Sequence, residues 1–404
     1  MKVEGFFKDI TGASRVTRAR HQLIDSGSPQ NLYHDHIREL AEEIHPKETQ
    51  VRVTRIEDVS KTARKFTFEA AAGYVLPPFQ AGQYVSLDLV IPDGSGKRIH
   101  TSRPYSICSA PFQARQKENP FFELTIRDGK PGEGFVSSFM YKSCRVGDTF
   151  TAHLPFGQFY YEPLRDAKRI VALAGGSGIT PFYSMAQEIA HGTLDASLTI
   201  LYGSVRPDDI ILEKQLGAIS CPGVRFVNVI SGDPDYPGEK GYLSADLIRK
   251  YTQGDPADGG TSYFVCGPLP MYRFVAGELE KLGVPKRRIR MEVFGAPRDI
   301  TKDPDYPARD PSVFRLTVLR GLQQTVIDAS SLEPLAVAME RAVIPNQTRC
   351  RSGACGYCRC QLMEGDVFVP SVGDGRRYAD KKFGYVHACS TYPLSDCTVR
   401  IMIC

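Results

Sequence analysis

The sequence predicts a multidomain protein: an antiparallel β domain, either barrel or sandwich, then a parallel α/β domain and a small cysteine-rich domain. Three observations support this. The chain has 404 residues, more than one hydrophobic core normally spans. Short alternating strands up to about residue 162 give way to apolar strands that alternate with helical stretches. Most of the 11 cysteines lie after residue 349.

Composition excludes several classes of protein. With 50 Lys+Arg against 46 Asp+Glu, the net charge of +4 is too small to indicate nucleic-acid binding. A chain that is 42% hydrophobic and 24% charged is neither disordered nor collagen-like. No apolar run approaches the ~20 residues of a membrane helix, and the N-terminus resembles no secretory signal. We therefore expect no membrane insertion and a cytoplasmic location.

Changes of pattern along the chain set the predicted domain boundaries. They are 1–48 (an N-terminal extension of unknown role), 49–162, 163–297, 298–311 (a linker) and 312–404. The clearest element of the extension is a helix over residues 34–43. The linker is rich in Asp and Pro and has little to bury, so we expect it to be extended and fairly stiff.

Hydrophobic periodicity places the elements within these boundaries. Alternation predicts strands at 51–54, 84–87 and 122–126 in the first domain. Apolar runs predict strands at 170–174, 198–202 and 263–266 in the second, with helices at 244–251 and 270–282. Strands that alternate with helices are typical of a parallel sheet.

The C-terminal cysteines have the spacing of an iron–sulfur site. Cys350, Cys355 and Cys358 form a C-x4-C-x2-C run, and Cys389 follows at a distance. This is the plant-type [2Fe–2S] pattern, with a potential of about −400 mV. Small residues between the cysteines let the backbone curl and direct N–H groups at the sulfurs.

Zinc is the competing metal, but zinc sites usually pair two C-x2-C motifs, and a second pair is missing. A set of free structural thiols is the other alternative. The remaining cysteines of this region are predicted not to be ligands: Cys360, Cys397 and Cys404.

Residues from about 312 to the end resemble a plant-type ferredoxin domain. The segments 350–358 and 387–393 carry the resemblance, in the order that family requires. The resemblance implies an α+β domain of the β-grasp fold that holds a [2Fe–2S] cluster.

A second signal is the run Arg103-Pro104-Tyr105-Ser106, which on its own could be an ordinary barrel strand. With the turn at 79–84 before it and the segment 125–137 after it, this run resembles the flavin domain of the ferredoxin–NADP reductase superfamily. That implies a β-barrel in which Arg103 and Ser106 contact the flavin phosphates and ring while Tyr105 packs on the isoalloxazine.

A further phosphate site would favour FAD over FMN, although FMN stays open because FMN relatives share the C-terminal ferredoxin arrangement. A helix N-terminus and a guanidinium suit a pyrophosphate. The residues implied are Ile126, Arg127, Gly134, Phe135, Val136 and Ser137.

Two turns in the α/β domain resemble the nicotinamide-binding motifs of the same superfamily. The first, G-G-x-G-x-T-P, carries Gly176, Gly178 and Thr180; it is not the G-x-G-x-x-G fingerprint. The second, C-G-P-x-x-M, carries Cys266, Gly267, Pro268 and Met271. A turn without a ligand and a buried strand-end cysteine are the plainer alternatives.

The resemblance places Cys266 beside the carbon that gives up hydride, in a positional role and not as a nucleophile. It also places Glu292 and Phe294 near the flavin. Tyr105, Ser106, Cys266 and Glu292 are thus the predicted catalytic residues, and none is predicted to be a general acid or base.

The choice between NADH and NADPH depends on the adenosine end. Ser204 and Arg206 could hold a 2′-phosphate. However, Gly232 and Asp233 stand where phosphate-binding relatives often carry Arg, and an Asp repels phosphate. NADH is therefore favoured.

The combined resemblance implies electron flow from NAD(P)H to FAD, to [2Fe–2S] and to an external one-electron protein acceptor. The domain order matches reductase components of bacterial oxygenases, and also reductases of phenylacetyl-CoA epoxidase and of hybrid-cluster protein. The alternatives are a fixed electron-transfer subunit of a larger redox complex and a redox-sensing module without turnover. We further expect the linker to let the ferredoxin domain move between flavin and partner.

Overall fold

A computed structural model describes residues 6–27, 36–44, 48–92, 98–129, 135–297, 299–307, 310–371 and 374–401. The chain forms two compact units, Met1–Ile44 and His45–Cys404. The first contains helices α1 (Phe6–Asp25) and α2 (His36–Ile44). The sequence pattern had predicted only the second of these helices. None of the described helices is long and apolar enough to cross a membrane.

The second unit begins with an antiparallel sheet. Its elements are β1 (Thr49–Asp58), β2 (Ala63–Ala70), β3 (Tyr84–Pro92), β4 (Arg98–Ser106), β5 (Phe121–Arg127), α3 (Phe135–Ser143) and β6 (Thr149–Phe156). The strands lie in the order β4-β3-β6-β1-β2-β5. An antiparallel bridge between Ile107 and Leu124 joins the two edges. The sheet thereby closes into the barrel implied by the flavin-domain resemblance.

A six-stranded parallel sheet follows. Its elements are β7 (Arg169–Gly175), α4 (Thr180–His191), β8 (Ser197–Ser204), α5 (Glu213–Gly217), β9 (Val224–Ile230), β10 (Glu239–Lys240), α6 (Ala245–Tyr251), β11 (Thr261–Cys266), α7 (Leu269–Lys281) and β12 (Ile289–Glu292). The strand order is β10-β9-β8-β7-β11-β12. β7 and β11 are neighbours, so their carboxyl ends meet at one edge.

The C-terminal part is a mixed sheet crossed by a helix. Its elements are β13 (Val313–Arg320), β14 (Gln323–Ser330), α8 (Leu335–Arg341), β15 (Arg359–Glu364), β16 (Val367–Phe368), α9 (Tyr378–Lys382), β17 (Tyr385–His387), β18 (Tyr392–Pro393) and β19 (Cys397–Ile401). The five-stranded sheet has the order β14-β13-β19-β15-β17, with β13 parallel to β19. The predicted fold class of all three domains is confirmed.

The hydrophobic cores do not follow the three sheets one by one. The barrel interior and the ferredoxin sheet each enclose a core of their own. One face of the parallel sheet, however, shares a core with residues outside the barrel. Phe159 there packs edge-on against Phe182 of α4 and Phe264 of β11. The barrel and the parallel sheet are therefore held together by buried apolar surface.

The segment predicted as a linker does bury side chains, so the expectation that it has little to bury is wrong. Ile300 and Tyr306 are almost fully buried, and the Tyr306 ring meets Tyr392 of β18 edge-on. Asp303 is buried as well and pairs with Arg273 of α7 at 2.8 Å. Two apolar anchors and one ion pair hold the segment against the domains on either side.

Candidate redox site

The four predicted cluster ligands converge at one end of the ferredoxin sheet. Cys350, Cys358 and Cys389 are buried, whereas Cys355 is exposed. The thiols of Cys355 and Cys389 hydrogen-bond to Cys350 and hold its pKa well below the usual range. The Cys389 thiol also lowers the pKa of Cys358, so the loop gathers sulfurs and favours two of them as thiolate, the form that binds iron.

Backbone N–H groups of the loop point at these sulfurs. The N–H of Cys355 donates to Cys350 Sγ at 3.3 Å. The N–H of Gly353 donates to Cys389 Sγ at 3.3 Å, and that of Cys389 donates to Cys358 Sγ at 3.5 Å. Such bonds stabilise negative charge on sulfur and tune the potential of a cluster.

The curl of the loop depends on left-handed backbone at three positions. Arg351, Gly353 and Gly356 have φ of 57°, 83° and 79°. In the described part of the chain, no three His, Cys, Asp or Glu side chains meet at a single-ion site. A [2Fe–2S] cluster takes only two thiolates per iron, so four cysteines with inward N–H groups fit it.

The predicted flavin residues lie along β4. Arg103 Nη1 donates to the carbonyl of Ser102 at 2.8 Å and to Thr101 Oγ1. Burial lowers the pKa of Arg103 to about 10, and the nearby Arg351 guanidinium adds to the effect. A half-buried cation of this kind is suited to a phosphate, which would relieve its desolvation.

Tyr105 and Ser106 continue the strand beside Glu292. Burial raises the pKa of the Tyr105 phenol, and a hydrogen bond with the Ser137 side chain offsets part of this rise. Ser106 Oγ lies 3.4 Å from Glu292 Oε2. A phenol, a hydroxyl and a guanidinium on one strand fit the polar groups of a flavin nucleotide.

The two nicotinamide turns touch at the ends of β7 and β11. A Cβ on Gly178 would lie 2.1 Å from the carbonyl oxygen of Cys266. A Cβ on Gly175 or Gly267 would lie 2.6 or 2.5 Å from Met271 Sδ. Glycine is required at position 178 because a backbone carbonyl passes there without room for a side chain, whereas at 175 and 267 the Met271 side chain fills the space. Helices α4 and α7 begin at these two turns, and a helix N-terminus suits a nucleotide phosphate.

Glu292 and Cys266 lie next to each other at this edge. Burial raises the pKa of the Glu292 carboxyl well above its usual range, and burial together with Glu292 raises that of the Cys266 thiol. Both groups are therefore neutral or costly to ionise. An uncharged thiol supports the positional role predicted for Cys266.

Tyr272 of α7 fixes the spacing of these strand ends. Its hydroxyl accepts the N–H of Gly267 at 3.1 Å and donates to the backbone carbonyl of Glu292. The sequence motifs do not single out this residue, although it falls one position after Met271.

A row of aromatic rings connects the nicotinamide edge with the cluster loop. Phe294 meets Tyr84 edge-on at 5.2 Å, Tyr84 lies 5.8 Å from Phe156, and Phe156 meets Tyr357 edge-on at 5.4 Å. Tyr357 stands between the predicted ligands Cys355 and Cys358. The candidate flavin and cluster sites are thus neighbours across a packed, apolar contact.

Family models match all three parts of the second unit. Residues 50–161 match an oxidoreductase FAD-binding domain and 172–277 an oxidoreductase NAD-binding domain. Residues 320–394 match a 2Fe-2S iron-sulfur cluster binding domain. The predicted cofactors FAD, NAD(P)H and [2Fe–2S] are confirmed at this level.

Ferredoxin–NADP reductase B of Sorangium cellulosum is 31% identical over 250 residues, which cover 60% of this chain and 96% of the relative. The chain belongs to the ferredoxin–NADP reductase family. The β subunit of a heme-dependent oxidative N-demethylase from Ectopseudomonas mendocina is 29% identical to the reductase over 78% of this chain and 88% of its own. The glycine betaine monooxygenase reductase subunit of Chromohalobacter salexigens is 27% identical over 87% and 94%.

Among solved structures, phthalate dioxygenase reductase superposes with a TM-score of 0.62 at 21% identity, over 88% of this chain and 98% of that one. This likeness shows that the three-domain fold is shared. The reductase is therefore an NAD(P)H-dependent iron–sulfur flavoprotein oxidoreductase that serves an external electron acceptor. FAD, when bound, takes the two electrons of a hydride together and gives them up singly, and the protein supplies geometry and electrostatics.

The cluster loop of the reductase is bound directly to strand β4. Ser102 Oγ donates to the carbonyl of Thr348 at 2.8 Å. Arg351 forms a bidentate ion pair with Glu340 of α8 and lies 3.4 Å from the Ser102 carbonyl. The backbone carbonyl of Ser102 also accepts a hydrogen bond from Arg103. One buried network therefore spans the candidate flavin and cluster sites. The sequence did not indicate this network.

At the adenosine end of the candidate coenzyme site, the cationic side chains already form ion pairs within the protein. Arg206 binds Asp208 through Nε and Nη2, both at 3.0 Å, and Lys61 reaches the same carboxylate. A Cβ on Gly232 would lie 2.6 Å from the Val205 carbonyl oxygen, so this position has no room for a residue with a side chain.

The second phosphate site is only partly described. Arg127 pairs with Asp209 at 2.6 Å and bonds Thr62, and it lies close to Gly176. Gly134 lies outside the described residues, as does the side chain of Phe135. The other predicted members sit at the start of α3 or the end of β5: Val136 and Ile126 are buried and Ser137 is half-buried.

The remaining predicted residues lie where the turn motifs put them. Thr180 opens α4 and donates to the Ser177 carbonyl at 3.0 Å. Pro268 precedes α7, and Ser204 ends β8 with its hydroxyl donating to the Arg206 carbonyl at 3.2 Å. Cys360 is buried in the sheet and Cys397 in the same core, and Cys404 lies outside the described residues.

Proposed function

We propose that the reductase carries electrons from NADH to the oxygenase component of a multicomponent oxygenase. The observation that carries this proposal is the arrangement of the cluster loop. The loop packs on β4 through Ser102 and Thr348, while Ala354 and Cys355 are exposed. Electrons can thus enter from the flavin side and leave to a partner. The named functions of the monooxygenase and demethylase relatives favour an oxygenase as that partner.

The preference for NADH is supported by the charges around Arg206. A 2′-phosphate requires a free cation. Arg206 is engaged by Asp208, and Gly232 has no room for a substitute arginine. NADPH would have to break an existing ion pair, whereas NADH would not.

We assign the binding roles by group. Arg103, Tyr105 and Ser106 hold the flavin, and Cys266 and Glu292 flank the nicotinamide. The coenzyme pyrophosphate lies on the turn of Gly176, Gly178 and Thr180, next to Gly267, Pro268 and Met271. The four cysteines Cys350, Cys355, Cys358 and Cys389 bind the irons. We keep the sequence-based domain boundaries and, because thiolate ligands need a reducing compartment, the cytoplasmic location.

The test is anaerobic addition of NADH or NADPH to the holoprotein, followed by visible spectroscopy and by cytochrome c reduction. We expect the flavin and cluster absorbance to bleach at least as fast as the enzyme turns over. We also expect kcat/KM to be higher for NADH than for NADPH. Cys389→Ser should keep NADH-driven flavin bleaching but lose cytochrome c reduction. Cys360→Ser, a buried non-ligand thiol, is the matched control and should keep both.

A holoprotein that binds the cofactors but turns nothing over would contradict the proposal and support a sensor. Equal kcat/KM for the two coenzymes would contradict the NADH preference alone. The oxygenase assignment is tested by adding purified oxygenase components encoded beside the gene and following substrate hydroxylation.

A further inference from the structure

We infer that the electron acceptor docks on a cationic face beside the cluster loop and presents an acidic surface to it. This inference rests on the proposed function and names the chemistry of its partner. We call this surface the cluster-side face. Its residues are Ala354, Cys355, Tyr357, Arg359, Arg376, Arg377, Tyr378, Lys381, Lys382 and Phe383.

The segment that leads into α9 is pressed against the cluster loop. The N–H of Gly375 donates to the carbonyl of Gly353 at 3.2 Å. A Cβ on Gly375 would lie 2.6 Å from Ala354 Cα. The segment that carries Arg376 and Arg377 into α9 therefore runs past Ala354, the residue before the predicted ligand Cys355.

The loop is exposed at Ala354, which Gly375 approaches, and is buried at Arg351 and Ser352. Arg351 and Ser352 are buried against α8 and β4, whereas Ala354 and Cys355 are exposed. Tyr357 is half exposed at the rim. A partner that approaches the loop at Ala354 therefore meets the segment that leads into α9.

The charges of the cluster-side face are unbalanced. Asp374 binds both Arg376 and Lys381, and Asp380 binds Arg359. Arg377 and Lys382 are exposed, and neither forms an ion pair with another residue that the structure describes. The cluster-side face thus has five cations against these two acids, so a positive excess remains beside the cluster. Complementary potential steers association and selects partners, which favours an acidic acceptor.

Apolar surface accompanies this charge. Tyr378 is 82% exposed and Phe383 is 59% exposed, one on each side of the α9 lysines. Interfaces typically combine aromatic anchors with a charged rim. A small anion would need only the charge, so the exposed rings point to a protein.

The test measures binding by the holoprotein of a defined acidic heme protein, the oxidised soluble domain of cytochrome b5. Isothermal titration calorimetry gives the Kd at low and at high salt. Arg377→Glu combined with Lys382→Glu should weaken the Kd about tenfold or more at low salt, with a smaller effect at high salt. Arg115→Glu with Lys117→Glu is the matched control, since it changes the net charge equally at exposed flavin-domain positions; its Kd should stay close to wild type.

An unchanged Kd in the α9 variant, or an equal loss in the control, would overturn the inference. Conversion of a wild-type dimer to monomers by the α9 substitutions, seen by sedimentation, would identify a second copy as the occupant and also overturn it. NADH oxidation with uncharged benzoquinone separates the two proposals. Wild type and both variants should oxidise NADH with benzoquinone at equal rates. If wild type showed no such NADH oxidation, that result would contradict the proposed function instead.

Discussion

Gly178 faces the carbonyl of Cys266 so closely that the position has no space for a methyl group. Gly178→Ala would place Cβ 2.1 Å from that oxygen and force the two nicotinamide turns apart. We expect a loss of about 1–3 kcal/mol in the free energy of unfolding from overpacking. We also expect NADH-driven flavin reduction to slow by at least tenfold, measured by stopped-flow absorbance.

Gly277 in α7 is the control for this substitution. A Cβ there meets nothing within 4 Å, and its backbone is helical. Gly277→Ala should be neutral or stabilising by about 0.5–1 kcal/mol, because alanine is the better helix former. If the two variants behaved alike, the close approach of the turns would not limit activity.

Glu292 makes stability depend on pH. Burial raises its pKa in the folded state, so wild-type stability is complete below the unfolded-state carboxyl pKa of about 4.3 and is lost as pH rises toward the folded-state value. Glu292→Gln removes that loss. We expect its melting temperature, read from released flavin fluorescence, to exceed that of wild type by a few degrees at pH 7, and the difference to vanish near pH 4.

Glu280→Gln changes an exposed carboxyl of the neighbouring helix and serves as its control. It should not alter the melting temperature at either pH. A melting temperature for Glu292→Gln below that of wild type at pH 7 would show that the ionised carboxylate stabilises the fold.

Sequence reasoning found the residues of short motifs and missed those that act across the chain. Cys266, Gly178 and the four cysteines belong to turns whose spacing is visible in the sequence. Tyr272 is missed because its role depends on a carbonyl 20 residues away on another strand. A buried tyrosine beside a glycine turn has no distinctive spacing, so only the packed structure reveals its bond.

The ion pair of Arg351 and Glu340 joins the cluster loop to α8 beneath β4. Glu340→Gln would leave the Arg351 guanidinium buried without its countercharge, which typically costs about 3–5 kcal/mol. We expect NADH to reduce the flavin at the wild-type rate while cluster bleaching slows by at least tenfold. Stopped-flow measurement at separate flavin and cluster wavelengths resolves the two events.

Asp396→Asn provides the comparison, because its pair with Arg315 in the same domain is exposed on both sides. Exposed pairs contribute at most about 1 kcal/mol, so both rates should stay at wild-type values. Equal slowing of flavin and cluster reduction in Glu340→Gln would mean that the pair supports general folding and does not specifically hold the two domains together.

Strands and helices with strong periodicity were predicted within a few residues, as for β7, β11 and α6. The elements that escaped are those with weak patterns. Over residues 11–25, α1 carries apolar side chains that stay exposed, including Val16 and Leu23, so this part of the helix has no periodic buried face to detect. The linker was misjudged because Asp and Pro dominate its composition, whereas two isolated side chains, Ile300 and Tyr306, determine its packing.

Contacts between domains indicate that, in this structure, the ferredoxin domain is docked on the flavin and nicotinamide domains. Thr348 bonds Ser102, the N–H of Gly295 reaches the Cys350 carbonyl, and Tyr392 bonds Pro297. We therefore expect cluster bleaching after NADH addition to be independent of solvent viscosity, measured by stopped flow in graded sucrose. A rate that falls in proportion to viscosity would instead support the moving domain expected from the linker composition.

The order of the domains was readable from the sequence because each carries its own motif. Their mutual placement was not, since the bonds that set it join distant residues. Ser102 and Thr348, for example, are 246 positions apart. Nothing in local periodicity constrains such a pair, whereas chemistry confined to one turn needs only a few adjacent residues.

The core shared by Phe159, Phe182 and Phe264 has a consequence for how this gene can be divided or recombined. A cut near residue 162 separates two binding activities but would strip both fragments of the same apolar lining. Neither half should then be recoverable as a well-behaved protein, and chimaeras should tolerate exchange of the barrel and the parallel sheet only as a pair. The two domains should therefore be exchanged together, both in natural recombination and in engineered chimaeras.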